Sequence, residues 1–278
     1  MVVYLEIIKE NKNLIVKNIE CLNIALSLDC GQAFRWRVEN DNIWCGVVKN
    51  KYLKIKQNEN NIIFYDTTEE EFNLIWKEYF DLERDYASIL SSYDEKSLNS
   101  ACEAYNGIRI LKQDEWEAIC SFIISANNNI PRIKGIIERL CENFGERVGE
   151  RFSFPTPEKI AELEVSDLEI IRAGFRAKYI LDAAKKISTK EVDIEEIKNM
   201  SFEDAKKELL KIKGVGEKVA QCALLYGFGR LEAFPQDVWV KRIVSELYPD
   251  GLPECIKGTE GIAQQYLFHW RRNLDNSK

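Results

Sequence analysis

The chain has 278 residues, 45% of them apolar and 31% charged, enough for one large domain or two modest ones with cores of their own. No segment approaches the roughly 20 apolar residues of a membrane span, and the N-terminal stretch MVVYLEIIKENKNLIVKN lacks the features of a signal peptide, so a soluble intracellular protein is expected. A single histidine, His269, and eight cysteines without a C-x-x-C pair argue against histidine metal sites, Ser-His or Cys-His triads, thiolate metal sites and a disulfide framework.

The first ninety-odd residues have the character of an antiparallel meander. Runs rich in aromatic and β-branched residues at 31–38, 43–48, 52–57 and 61–65 are predicted strands, separated by polar turns at Lys49-Asn50 and Asn58-Glu59-Asn60. Thr68 and Glu71 stand in capping-box spacing and predict a helix start. From about residue 100 the pattern becomes helical. Thr156 before Pro157, Ser166 with Glu169, and Ser201 with Asp204 predict further helix starts, while Gly174 and Gly214 suit helix ends that need a left-handed residue. The expected fold class is α+β: a small antiparallel β-sheet domain over 1–98, then a larger α-helical domain over 99–278. The formal net charge of −7 argues mildly against a nucleic-acid partner. Phosphate binding depends on a local basic face, however, and cations gather between Arg172 and Arg242.

Residues 209–225 carry the first chemistry. A helix ending near Ile212, a turn over Gly214-Val215-Gly216 and a new helix from Glu217 make a helix-hairpin-helix at about 202–226. The glycines allow positive φ and close approach of another backbone. The first N–H groups of the second helix lack intrahelical acceptors and can bind an anion. The P-loop pattern is absent. A backbone-only phosphate site suits sequence-independent contact with a nucleic-acid strand, although G-V-G alone also fits an ordinary helix turn. Lys218 lies inside the second helix, with Cys222 one turn later on the same face. Asp237 precedes an amphipathic run through Val240, Ile243, Val244 and Leu247 and suits an N-cap.

The stretch KIKGVGEKVAQCALLYGFGRLEAFPQDVWVKRI resembles the helix-hairpin-helix, Gly/Pro-rich loop and aspartate motif of base-excision DNA glycosylases. The segments CGQAFRWR, ICSFIISANNNIPRIKGIIERLC, GFRAKY and GIAQQYLFHW are similar to the 8-oxoguanine DNA glycosylase family, and the similarity runs over roughly residues 20 to 272. The resemblance implies a bifunctional glycosylase and lyase acting as a monomer on double-stranded DNA that contains oxidised guanine, with no membrane. Lys218 would attack the sugar C1′, form a Schiff base and nick the strand by β-elimination. Asp237 would stabilise the oxocarbenium-like sugar. The extruded base would lie between Phe268 and Cys222, meet Gln264 along its edge, and donate its N7 hydrogen to the Gly31 carbonyl. Asn127 would fill the vacated space, Arg132 and Arg176 would read the estranged cytosine, and Gly214, Val215 and Gly216 would grip a phosphate.

Two positions depart from the best-known animal members: the wedge tyrosine is Phe175, and a phosphate-contacting histidine is Trp239. No cofactor is implied. A monovalent cation on the carbonyls of Leu210, Ile212 and Val215 is the one ion expected. With Cys255 alone near the C-terminus, no iron–sulfur cluster is expected. The compartment would be the cytoplasm, with the nucleoid, in a bacterium or archaeon, and the nucleus in a eukaryote. Two alternatives stand beside this reading: a glycosylase of the same superfamily for another damaged purine, such as an alkylated one, and a non-catalytic helix-hairpin-helix DNA-binding protein.

Overall fold

The computed structural model describes residues 5–276. Six strands form one antiparallel sheet in the order β1-β2-β6-β5-β4-β3: β1 Glu6–Glu10, β2 Asn13–Lys17, β3 Arg37–Val38, β4 Trp44–Val48, β5 Lys51–Asn58 and β6 Asn61–Phe64. A helical domain follows, so the α+β class holds. The hairpin between β4 and β5 turns on Lys49 (φ 47°) and Asn50 (φ 60°), the pair of positive φ values that matches the twist of the flanking strands. Thr68 and Glu71 form the complete capping box. The sheet buries Leu14, Val16, Leu53, Ile55, Ile62 and Phe64 against Phe72, Trp76 and Phe80 of the helical segment that follows.

The sequence reading needs correction in four places. Strands β1 and β2 and the helix Ile24–Asp29 were not anticipated. The predicted strand over 31–38 shrinks to Arg37–Val38, because buried side chains fix the rest of the segment. The Gln32 amide donates to the Ser27 and Arg109 carbonyls and accepts from the Leu111 N–H, while Arg35 pairs with Glu117 at 3.0 Å. Within this segment Phe34 packs edge-on against Phe122 in the helical core, whereas Trp36 lies in the sheet core and bonds the Tyr79 hydroxyl at 2.7 Å. Ser166 caps nothing: its own backbone is helical, and Asp167 accepts the Glu164 N–H instead. Finally, Arg172 (φ 58°) ends the 3₁₀ turn Asp167–Ile171, and Gly174 (φ 62°) opens the next turn rather than closing a helix. Thr156 and Ser201 cap their helices as expected.

Three helices of the second domain position the site. Glu115–Ser125 is buried over almost its whole length, Glu217–Tyr226 is the hairpin's second helix, and Glu260–Asn276 is the C-terminal helix. They share one apolar core.

Candidate active site

The hairpin takes the predicted form. Its first helix, Phe202–Leu210, starts on Ser201, whose hydroxyl accepts the Asp204 N–H. In the turn, Gly214 adopts φ +83°, and a Cβ there would stand 2.3 Å from the Tyr179 ring. The Lys213 N–H is held by Asp182 at 2.8 Å. Gly216 is the N-cap of the second helix and supplies no side chain, so the helix's leading N–H groups face outward without a capping oxygen. An anion suits that end.

Lys218, on the first turn of that helix, is half-buried. Its amine donates to the Ser125 hydroxyl at 3.3 Å and sits 5.3 Å from the centre of the Phe122 ring. Ser125 in turn donates to the Phe122 carbonyl at 2.8 Å. Cys222 is buried one turn on. Burial pushes its thiol up, against the pull of the Lys218 charge, so it offers a neutral sulfur surface. Asp237 is the N-cap of helix Val238–Leu247, with one carboxylate oxygen accepting the Val240 N–H at 2.8 Å.

These groups meet in one cavity with the expected base-pocket residues. Lys218, Cys222 and Asp237 line it together with Gly31, Gln264 and Phe268, and with Phe122, Tyr226, Pro235 and Gln265. Gln264 is only 5% exposed, and its side-chain oxygen has no hydrogen-bond partner among the described residues. A buried acceptor left without a donor costs free energy unless a ligand meets it. Phe268 also borders a wider cleft that runs past Asn127, Ile130, Trp239 and Lys241.

Of the other residues expected to contact DNA, Asn127 and Trp239 line the wider cleft. Asn127 is exposed and left-handed (φ 49°), while the helix-capping role falls to Asn129, which accepts the Arg132 N–H at 3.0 Å. Arg176 is buried and donates to the Ala126 and Asn127 carbonyls, which fixes the loop from beneath. A base-reading Arg176 would have to exchange those bonds. Phe175 is 55% exposed and stacks over the Arg176 guanidinium at 4.4 Å. Burial, together with the nearby Arg132 charge, pulls Arg176 down from its ordinary range. Trp239 is half-buried, with Arg242 over its ring at 5.4 Å.

Phe122, Ser125, Tyr226 and Gln265 were not singled out from sequence. One signal was available: Lys218, Cys222 and Tyr226 recur every four residues along one helix face.

Comparison with known proteins places the chain in a family. The model of the 8-oxoguanine DNA glycosylase N-terminal domain matches residues 14–119, and that of HhH-GPD superfamily base excision DNA repair proteins matches residues 120–252. A probable N-glycosylase/DNA lyase of Methanothermobacter thermautotrophicus is 34% identical over 194 residues, 61% of this chain and 62% of that protein. The aligned region is therefore less than two thirds of that relative's length. MBOgg1, solved in complex with a low-affinity DNA ligand, is 37% identical, with a TM-score of 0.92 over 98% of this chain and 100% of its own. The 8-oxoguanine glycosylase/lyase of Clostridium acetobutylicum was solved with double-stranded DNA containing cytosine opposite 8-oxoguanine. It is 36% identical, with a TM-score of 0.90 over 99% of both chains. Two consecutive family models and structural neighbours that match the chain over nearly its full length lead to one assignment: the chain belongs to the 8-oxoguanine DNA glycosylase family of the HhH-GPD superfamily.

Proposed function

We propose that the protein excises 8-oxoguanine from duplex DNA, preferentially opposite cytosine, and then cuts the strand at the resulting site. The observation that carries this reading is that Lys218 and Gln264, whose buried side-chain oxygen has no partner among the described residues, line the same cavity. One group is placed for a sugar carbon and the other for a base edge. Once deprotonated, the Lys218 amine attacks C1′, the C1′–N bond breaks and its electron pair leaves with the base; the ammonium formed at Lys218 sheds a proton, which balances the one the base takes up. The bound sugar opens to a Schiff base; loss of a C2′ proton then expels the 3′ phosphate. Asp237 lines the same cavity, and its carboxylate stabilises the positive charge that develops on the sugar. The backbone of 214–216 holds a phosphate, Asn127, Arg132, Phe175 and Trp239 face the opened duplex, and Arg176 joins them by exchanging its bonds to the Ala126 and Asn127 carbonyls.

Among the carbonyls at the hairpin turn, that of Ile212 accepts the Val215 N–H at 3.1 Å and keeps a second lone pair. With the oxygens of Leu210 and Val215 it would supply hard donors to a monovalent cation. The Lys186 ammonium already caps the adjacent Lys211 carbonyl, and its charge would weaken such an ion.

The test is borohydride trapping on a duplex with 8-oxoguanine opposite cytosine. Wild type is expected to give a covalent adduct and Lys218→Gln none. Folded wild type that releases the base without forming an adduct would end the lyase assignment and favour a monofunctional enzyme. An adduct on alkylated purines alone would move the substrate to the alternative class.

A further inference from the structure

We infer that Tyr226 and Gln265 are positioning residues for damage recognition: together they hold the peptide that aims the Gly31 carbonyl at the base. This rests on the substrate reading above. The Tyr226 hydroxyl donates to the Gln265 side-chain oxygen, and the Gln265 amide donates to the Cys30 carbonyl at 3.3 Å. That carbonyl belongs to the peptide unit immediately before Gly31. On the other side, the Gln113 amide holds the Gln32 carbonyl at 2.8 Å. The Gly31 carbonyl thus lies between two tethered neighbours, and among the described residues no donor reaches it.

The tethers matter because Gly31 sits at φ +93°, in a region where glycine has many options and little intrinsic preference. Without a clamp on Cys30, the single carbonyl that tells 8-oxoguanine from guanine by one N–H would be free to swing. Tyr226 and Gln265 are 4% and 2% exposed, on different helices, and both line the cavity. Burial pushes the Tyr226 hydroxyl well above its usual range, which keeps it protonated and able to donate. Its ring stacks on Phe122 at 5.1 Å and 19°, so the clamp is braced by the pocket floor. Neither side chain reaches the strand-cutting pair through a hydrogen bond of its own among the described residues; the hydrogen-bonded route runs from Tyr226 through Gln265 to the Cys30–Gly31 peptide.

That separation supplies the test. Tyr226→Phe keeps the stacked ring and removes only the hydroxyl, and Gln265→Met keeps the bulk and removes both polar atoms. Single-turnover rates are measured for the full chain on two duplexes, one with 8-oxoguanine opposite cytosine and one with a preformed abasic site. Each variant is expected to lose 8-oxoguanine excision roughly tenfold, the effect of one lost hydrogen bond carried to the transition state. Abasic-site cleavage should stay within about twofold, and the double variant should fall little below the worse single one, as coupled residues do. Parallel loss of both activities would assign the pair an ordinary packing role and overturn the inference, as would unchanged excision. Wild type that cuts abasic sites but leaves 8-oxoguanine in place would overturn the substrate reading itself, and the inference with it.

Discussion

One oxygen of Asp237 accepts the Val240 N–H at 2.8 Å while the same residue lines the cavity, so one side chain caps a helix and, in the proposed mechanism, also serves the sugar. The two tasks can be separated, because asparagine is as good an N-cap as aspartate but carries no charge. Asp237→Asn should keep stability within about 0.5 kcal/mol and slow base excision by about 10²–10⁴. Asp237→Ala should lose roughly a further 1 kcal/mol of folding stability. Urea unfolding and single-turnover excision measure the two effects, and unchanged excision in the asparagine variant would remove Asp237 from the mechanism. At this scale the sequence was most informative where chemistry needs unusual residues. Lys218, Asp237, Gly31 and the pair Gln264 and Phe268 come from four separate segments, yet they line one cavity. Phe122, Ser125, Tyr226 and Gln265 were missed for the opposite reason. An aromatic or a glutamine in a largely apolar helix has the local pattern of core, and only the contact made across the fold distinguishes it.

The hairpin owes its geometry to a clash avoided. A side chain at 214 would enter the Tyr179 ring on a backbone with φ +83°, whereas a Cβ at 216 would meet nothing within 4 Å. Gly214→Ala should therefore destabilise the fold by about 1–3 kcal/mol, through overpacking and backbone strain together, and weaken binding to undamaged duplex. Gly216→Ala should cost less than about 1 kcal/mol, the scale of an N-cap exchange. Urea midpoints and fluorescence titration with an undamaged duplex check both; equal costs at the two positions would refute the steric account. The hairpin and the strands β4, β5 and β6 were legible because turns, alternation and caps are local signals. The 31–36 segment was not. Its aromatic alternation is that of a strand, but the partners that bend it away, Ser27, Arg109, Leu111 and Glu117, include three that lie some eighty residues further along the chain. The Ser166 cap failed for a local reason: Ser166 is itself helical, and the Glu169 N–H is taken by its backbone carbonyl at 3.1 Å rather than by its hydroxyl.

For the molecule as a whole, the one histidine gives a clean handle on acid stability. His269 packs edge-on against Tyr105 at 4.5 Å, and its Nδ1 is buried without a partner among the described residues. Burial first, and then the charge of Arg272, hold its pKa below the ordinary 6.5. The unfolded chain therefore takes up a proton before the folded chain does. Stability is fully present above pH 6.5 and declines as pH falls from there toward the lower folded value. His269→Phe should remove that decline, and urea unfolding at successive pH values between 7.5 and 5.5 would show it. Identical slopes in variant and wild type would exclude His269 as the source.

The segment that joins the two cores also limits how this protein can be re-engineered. Phe34 is anchored among the helices and Trp36 beneath Gly46 of the sheet, where a Cβ would stand 2.6 Å from the indole. The helical half holds Lys218 and Asp237 and, on the proposed function, would be the natural part to excise as a minimal strand-cutting tool. Its core, however, includes Cys30, Phe34, Tyr86 and Tyr93 from the first hundred residues. Trimming the sheet away would open that core and remove the Gly31 carbonyl in the same stroke, so a smaller editor built from this chain has to keep residues 30–36 and the sheet that holds them.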